Sequence, residues 1–351
     1  MKRNYFFLLF VAFVFVSCET DFEVNAPWKE TAVIYGLLDQ TVDTQRVVIY
    51  KTFLGQQSAY DMTQEADSFY YAENELDVFL YGINQNGDTL QSIPLQYQLT
   101  DSRKTMGFDT IFSTQYSVEY ITVEALDESL TYHLHIHNLE SGYEASAKTN
   151  LIEPLEISPG FTDEIKFYKN NDYRSHKLSW SSSRHGKIYM PFMRFYYYEK
   201  NLSTGQVDRY HIDKQYPQMY SPNSSGGTDM ELYITGESFY FFVTNSIDEN
   251  ANVQRINAKE LEDGFPEYDY WLGGIDFLFL VGGNDIAQYI EINNLPSVLF
   301  QDPPSFTNIE NGRGVFSSRL NAQQTGKSLD LSSYIFLANS ELTNQLNFIE
   351  P

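Results

Sequence analysis

The sequence predicts a mainly β protein, with two antiparallel β-sandwich-like domains that follow a signal peptide. Aromatic residues make up 16% of the chain, with 27 tyrosines and 26 phenylalanines, and such side chains fit a pleated, half-buried surface. Apolar and polar side chains alternate in segments such as 74–83 (NELDVFLYGI), as in a strand with one buried face. Turn residues such as Asn86-Gly87 separate these segments, and Asn-Gly is typical of a hairpin.

An antiparallel sandwich is predicted for residues 28–152, because short strands alternate there with turn residues. Tyr132 opens a late strand after Leu126 and Leu130. Its position resembles the tyrosine corner of immunoglobulin and fibronectin type III sandwiches. This domain is therefore expected to be immunoglobulin-like. Its strands are predicted at 31–38, 45–54, 74–83, 89–99, 116–124, 131–138 and 143–149.

The second domain is predicted at residues 153–351, as a fibronectin-like β-rich domain with insertions. Residues 150–160 (NLIEPLEISPG) contain two prolines and indicate a linker before it. A helix is expected from Asn252 to Gly264, because Gly264 and Pro266 supply a stop signal. The strands of this domain are predicted at 177–181, 188–199, 231–234, 238–245 and 277–281.

The first 17 residues predict a signal peptide. Lys2 and Arg3 precede an apolar run over residues 5–16, which is shorter than the roughly 20 residues that a membrane-spanning helix needs. Cys18, the only cysteine of the chain, comes directly after the apolar run and Ser17. Its position indicates a lipid attachment point, and the alternative is an ordinary signal peptide with an incidental cysteine.

Two short motifs around Cys18 support lipidation and display. Phe15, Val16 and Ser17 resemble the bacterial lipobox, where a signal peptidase cuts before the lipidated cysteine, although an aliphatic residue is usual at the position of Phe15. The acidic residues that follow resemble the signal for outer-leaflet display in lipoproteins of Bacteroidota, and the alternative is a solvated tether over residues 18–27. These acidic residues are Glu19, Asp21 and Glu23. The chain is therefore expected in the outer membrane, anchored by lipid and either exposed on the surface or facing the periplasm.

The charge of the chain limits what it binds. The formal net charge is −24, and the loss of Lys2 and Arg3 with the signal peptide makes it more negative. An acidic surface repels phosphate backbones, so nucleic-acid binding is not expected. Anionic membrane surfaces also repel it, so attachment to the membrane has to come from the lipid on Cys18.

Catalytic motifs are absent from the sequence: it has no GxSxG, HExxH, P-loop or dinucleotide-binding glycine pattern. We therefore expect a protein that is not an enzyme and needs no cofactor. His133, His135 and His137 form an H-x-H-x-H pattern on a predicted strand, and alternation places all three on one face. Such histidines could bind a metal ion if a neighbouring strand supplied another ligand, and the alternative is an ordinary solvated strand face.

A C-terminal motif (TNIENGRGVF, residues 307–316) and an early strand (VIYGLL, residues 33–38) resemble a lipoprotein family of Bacteroidota that is known only as a domain of unknown function. The resemblance implies two β-rich domains and gene neighbours that encode TonB-dependent outer-membrane transporters, and it brings no catalytic residues. The glycines of the motif are expected to allow turn conformations, and its asparagines to hydrogen-bond the local backbone. The motif residues are Asn308, Ile309, Asn311, Gly312, Gly314 and Phe316.

Two binding functions follow as expectations. The first is an accessory binding module for an outer-membrane transporter of the TonB-dependent type. The alternative is a glycan-binding surface protein that uses exposed aromatic residues, such as those of the Phe195–Tyr198 run. A glycan site should show two or three exposed rings in a shallow cleft beside polar groups. A protein interface should show a wider patch with few charges at its centre.

Overall fold

The computed structural model describes residues 29–52, 66–100, 116–158, 163–261, 273–294 and 305–350. The signal peptide and the tether predicted at residues 18–27 lie outside these ranges. Strands account for 51% and helices for 13%, and several sheets are antiparallel. The prediction of a mainly β, antiparallel fold is therefore confirmed.

The N-terminal half contributes eight strands among the described residues, and several of them alternate between more and less buried side chains as the sequence predicts. In the strand Leu76–Ile83, for example, Val78 and Leu80 are buried while Asp77 beside them is exposed. The strand Ser117–Thr122 differs, because five of its six residues are buried. The strands are β1 (Ala32–Leu38), β2 (Gln45–Lys51), β3 (Leu76–Ile83), β4 (Thr89–Pro94), β5 (Gln96–Thr100), β6 (Ser117–Thr122), β7 (Thr131–Asn138) and β8 (Glu144–Asn150). A short helix, α1 (Ala66–Phe69), precedes β3.

The C-terminal half contributes twelve strands among the described residues. They are β9 (Glu156–Ile157), β10 (Glu164–Ile165), β11 (Tyr168–Lys169), β12 (Asp172–Tyr173), β13 (Ser175–Ser181), β14 (Gly186–Asn201), β15 (Val207–Gln215), β16 (Met219–Tyr220), β17 (Asp229–Thr235), β18 (Val253–Ile256), β19 (Ile275–Gly283) and β20 (Gly312–Leu329). Three helices accompany them, α2 (Gly236–Ser246), α3 (Asn284–Asn293) and α4 (Leu331–Asn339), followed by a 3₁₀ turn at Asn344–Leu346.

One large sheet runs through both halves of the chain in the order β15-β14-β19-β20-β1-β2-β6-β5. The 18-residue strand β20 connects the halves, because its first part pairs in parallel with β1 and its later part pairs antiparallel with β19. A separate four-stranded sheet has the order β4-β3-β7-β8. The division of the chain at residue 152 therefore stays a prediction.

Buried apolar side chains form two clusters. In the first, Ile34 and Val47 of the large sheet meet Leu134 and Ile136 of the four-stranded sheet, so two sheets enclose one core. The second cluster surrounds Trp180. The predicted linker takes part in both: Leu151 belongs to the first cluster and Ile152 to the second. Residues 151 and 152 are thus packed rather than exposed.

The helices differ from the sequence prediction. Residues 238–245, predicted as a strand, lie within α2, and the expected helix at Asn252 to Gly264 is instead strand β18 over its first part, while residues 262–264 lie outside the described ranges. Helix α2 forms because the Thr235 side chain caps the Ser238 amide, and because Phe239, Tyr240 and Val243 recur at helical spacing on its buried face. Among the described residues, no helix is long and apolar enough to cross a membrane.

His176 on β13 packs against the second core, and its titration is expected to make the stability of the protein depend on pH. Its ring stacks on Phe277 at 5.4 Å between centroids and meets the edge of Phe167 at 6.3 Å. Burial, and to a smaller degree the charge of Lys327, lowers the pKa of His176 from 6.5 to about 4. The unfolded chain takes up this proton near pH 6.5 and the folded chain only near pH 4. We therefore expect the free energy of unfolding to fall as the pH drops through this window.

Urea unfolding of wild type and His176→Phe at several pH values between 7 and 4 checks this expectation. The substitution should flatten the decline, because other titrating groups contribute equally to both proteins. His211→Phe is the control, since the His211 side chain is 50% exposed. An equal decline in wild type and His176→Phe would show that His176 does not cause it.

Candidate functional site

The large sheet has one face turned toward the two cores and one face turned away, which we call the outer face. On β1, Ile34 is fully buried, whereas Tyr35 next to it on the outer face is 39% exposed. Strand register places Val48 beside Tyr35, and Tyr50 beside Val33, on this same face. We call these four side chains, Val33, Tyr35, Val48 and Tyr50, the tyrosine band.

Further tyrosine rings contact the tyrosine band at both ends, and one of them, Tyr70, is buried as part of the first core. Tyr289 of α3 meets Tyr35 edge-on, with 6.2 Å between ring centroids. At the other end, Tyr70 stacks between Tyr50 at 5.6 Å and Tyr116 at 6.1 Å. Burial, and then the contact with Tyr289, raises the pKa of Tyr35 to about 12. The Tyr35 hydroxyl therefore stays uncharged at neutral pH and offers both a hydrogen-bond donor and an acceptor.

Charges lie at the edge of the tyrosine band rather than at its centre. Arg313 pairs in register with Val33, is exposed, and makes no ion pair with any of the described residues. Arg46 is held by Glu119 at 3.2 Å. The band is thus a patch of apolar and tyrosine side chains on a strongly acidic protein, with one arginine at its border that has no ion-pair partner in the described part of the chain.

A groove lies farther along the outer face, where β14, β19 and β20 run side by side. Its volume is about 550 Å³, and Phe192, Leu278 and Leu280 form its apolar floor. All three are half-buried. The loop after β1 contributes Thr41 and Val42 to its wall. A concave, mostly apolar site with a few polar groups is the usual form of a ligand site.

The charged groups that border the groove are paired with each other. Arg194 donates two hydrogen bonds to Asp213, both of 2.7 Å. This contact lowers the pKa of Asp213 and raises the pKa of Arg194, so both groups remain ionised and bound together. Nearby, the buried Asp39 carboxylate accepts from Arg319 Nε at 3.0 Å and from Asn321 Nδ2 at 2.6 Å.

A second cleft, of about 780 Å³, lies where the two halves of the chain meet. Its lining is mainly polar, with Arg184 paired to Glu153 at 3.5 Å and His185 in the left-handed region at φ 66°. Histidine enters this region more readily than most residues. No group of three metal-binding side chains occurs here or elsewhere in the described part of the chain.

The three histidines of the H-x-H-x-H pattern share one face of β7, as predicted. His133, His135 and His137 are half-buried, while Leu134 and Ile136 between them face the first core. Burial, and then the charge of Lys148, lowers the pKa of His133. Within the described residues, this face holds no group of three side chains placed to bind one metal ion, so the geometry gives the metal hypothesis no support.

The C-terminal motif links β20 to β1 and β8. The Asn308 side chain makes two hydrogen bonds with the backbone of Phe316. Its Nδ2 donates to the Phe316 carbonyl at 2.6 Å, and its Oδ1 accepts from the Phe316 amide at 3.0 Å. Asn311, at φ 55°, donates to the Glu144 carbonyl at 2.6 Å. Ile309 and Phe316 are part of the first core. These contacts give the motif a structural role.

The two glycines of the motif are required for different reasons. Gly314 has φ 101°, and a Cβ there would lie 2.0 Å from the carbonyl oxygen of Ile34. Gly312 is not in the left-handed region, but its Cβ would meet the Ile309 side chain at 2.7 Å. Both lie in a strand rather than in the turn that the sequence indicates, because β1 and β20 approach closely in parallel.

Sequence reasoning missed the residues of the outer face. The rings of the Phe195–Tyr198 run, which the sequence suggested as a stacking surface for a glycan, are mostly buried. Phe195 is fully buried, and Tyr196 and Tyr197 are each 8% exposed. The exposed tyrosine of the band, Tyr35, belongs to β1 and meets Tyr289 of the distant helix α3. The one local signal is the alternation of Val33 and Tyr35 around Ile34.

The residues expected to direct export and lipidation lie outside the described part of the chain. They are Phe15, Val16, Ser17, Cys18, Glu19, Asp21 and Glu23. No protein-family model matches the chain, and a search of curated proteins finds no similar sequence. The resemblance to a lipoprotein family of Bacteroidota therefore stays a hypothesis that rests on residues 307–316, residues 33–38 and the N-terminal motifs.

Proposed function

We propose that this chain is a lipid-anchored outer-membrane protein, attached through Cys18, whose tyrosine band holds a protein partner. The partner that we propose is an outer-membrane transporter of the TonB-dependent type, and the chain acts as its accessory binding module rather than as an enzyme. The N-terminal signal, the lipobox-like residues before Cys18 and the acidic residues after it support the location.

The observation that carries the proposal is the composition of the tyrosine band. The band consists of valine and tyrosine side chains, and the charged side chains of Arg46 and Arg313 lie at its border. Protein interfaces are enriched in tyrosine and arginine and have few charges at their centre. Among the four side chains of the band, Tyr35 is the one exposed ring, whereas a sugar cleft is expected to show two or three.

We also propose that residues 28–152 form an immunoglobulin-like sandwich and that residues 153–351 form a fibronectin-like β-rich domain with insertions. In support, the Tyr132 hydroxyl accepts a hydrogen bond of 2.6 Å from the Asp127 amide, five residues upstream. This contact is the kind that defines a tyrosine corner.

Site-specific photo-crosslinking in intact outer membranes tests the proposed interface. A photoreactive residue in place of Tyr35 should form a crosslink to an outer-membrane transporter, because Tyr35 is the exposed ring of the band. The same residue in place of Tyr233 should not, although Tyr233 is more exposed, at 56% against 39%, and lies on a different sheet.

A binding measurement with the captured transporter completes the test. Tyr35→Ala should weaken binding at least about tenfold, as expected for a central interface tyrosine, while Tyr233→Ala should leave it unchanged. Equal crosslinking from both positions would contradict the proposal. So would saturable binding to a glycan array that Tyr35→Ala abolishes while no transporter is captured.

A further inference from the structure

We propose that the groove on β14, β19 and β20 binds an uncharged apolar side chain on an extended peptide segment. The inference deepens the proposed function and rests on it, because the segment would belong to the same protein partner. The groove would then hold an anchor residue of the partner, at a site separate from the tyrosine band.

The shape and floor of the groove favour an apolar occupant. A volume of about 550 Å³ lies within the range of pockets that enclose small ligands. Phe192, Leu278 and Leu280 are half-buried although they lie on the outer face, so an apolar group that covers them removes further apolar surface from water. Interfaces commonly gain affinity by placing one apolar anchor in such a pocket.

The charges around the groove favour a neutral occupant. The Arg194 guanidinium and the Asp213 carboxylate already satisfy each other through two hydrogen bonds, and Arg319 is paired with Asp39 at 3.0 Å. Because each guanidinium already faces a carboxylate, a phosphate or carboxylate ligand would gain little net attraction there and would also lie close to Asp213 or Asp39. A neutral side chain leaves both pairs intact.

The polar rim of the groove suits a peptide backbone. Asn321 and Gln323 of β20 both face the groove, since side chains two residues apart on a strand point to the same side. The side-chain amide of Gln323 makes no hydrogen bond with the described residues, and the side chain of Asn321 uses only its Nδ2 group among them. These amides offer a donor and acceptors, which is what a peptide group beside the anchor side chain needs.

A saccharide fits the groove less well. Sugar sites use the flat faces of several aromatic rings. Of the two phenylalanines among the described lining residues, Phe279 is 2% exposed and packs against Trp180, so Phe192 is the ring that remains for stacking. The two leucines present branched methyl groups rather than a flat surface. The groove therefore favours a peptide side chain over a saccharide, and the titration described next also detects saccharide binding.

The test is a titration of the purified full-length chain, followed through the leucine methyl signals in NMR spectra. The ligands are N-acetyl-leucine amide, N-acetyl-glutamate amide and maltose. N-acetyl-leucine amide should shift the methyl signals of Leu278 and Leu280 saturably, at millimolar concentration because it supplies only one anchor. N-acetyl-glutamate amide and maltose should bind at least about tenfold more weakly.

A filling variant locates the site. Gln323→Trp places a large side chain over the groove at a strand position on the outer face, where aromatic residues are well tolerated, and should abolish the shifts. Ser92→Trp, at an exposed position of β4, is the matched control and should leave them unchanged. Equal binding of all three ligands, preferential binding of maltose, or saturable binding that persists in Gln323→Trp would each overturn the inference.

The titration uses no partner, so its result is separate from the crosslinking result. Saturable binding in the groove together with a failed crosslink at Tyr35 would support the site and refute the tyrosine band as the interface. A crosslink at Tyr35 without binding in the groove would support the proposed function and refute this inference.

Discussion

Gly314→Ala is expected to destabilise the protein by about 3 to 5 kcal/mol, because two costs add at one position. The backbone of Gly314 has φ 101°, which L-residues rarely adopt, and an added Cβ would lie 2.0 Å from the Ile34 carbonyl oxygen. The methyl group therefore forces β20 away from β1 in the middle of their parallel ladder, which runs from Ala32↔Gly312 to Leu38↔Ser318. Urea unfolding, followed by tryptophan fluorescence, measures the loss.

Gly87→Ala separates the two costs. Gly87 has a similar φ of 89°, but nothing lies within 4 Å of the position that an alanine Cβ would take there, so only the backbone strain of about 1 to 2 kcal/mol applies. If Gly314→Ala lowers the free energy of unfolding no more than Gly87→Ala does, then β1 and β20 do not approach each other as closely as the structure shows. The comparison thus tests the strand pairing that joins the two halves of the chain.

Cys18→Ala is expected to release the protein from the outer membrane almost completely. The acidic chain has no electrostatic attraction to an anionic membrane surface, and stable anchoring takes more than one lipid chain, so in our proposal attachment depends on lipids that Cys18 carries. Growth with an alkyne-labelled palmitate analogue, followed by membrane fractionation, measures both the label and the location. Wild type should be labelled and sediment with the outer membrane, whereas Cys18→Ala should lack the label.

A Ser17→Thr variant is a suitable control, since it alters the residue before the proposed cleavage site and keeps the thiol. It should retain some label even if processing is slower. If Cys18→Ala were labelled as strongly as wild type, the lipid attachment at Cys18 would be refuted. The tyrosine band would then remain a proposal about binding, without a proposal about location.

Local sequence pattern was a good guide where one face of a strand is buried. The alternation along β7, with Leu134 and Ile136 toward the core and the histidines away from it, is predicted by period two and is found. It failed at residues 238–245, because phenylalanine, tyrosine and valine favour strands by intrinsic preference. The cap at Thr235 and the helical spacing of Phe239, Tyr240 and Val243 outweighed that preference.

The candidate sites were harder to predict, because their residues come together from distant parts of the chain. Tyr35 meets Tyr289, and Arg194 of the groove lies on β14 while Asn321 lies on β20. Each of these residues looks ordinary in its local sequence. Only the order of strands in the large sheet, together with the packing of α3 against that sheet, brings them to one face.

The sequence by itself determined the β-rich class, the alternation within strands and the N-terminal features that indicate lipid anchoring, because these depend on neighbouring residues. The tertiary structure alone decided that β20 joins the two halves, that residues such as Asp39 and Arg319 pair across 280 positions, and that the outer face carries a tyrosine band and a groove. The physical reason is that strand pairing uses backbone groups that every residue has, so the partner and register of a strand are selected by packing across the whole fold.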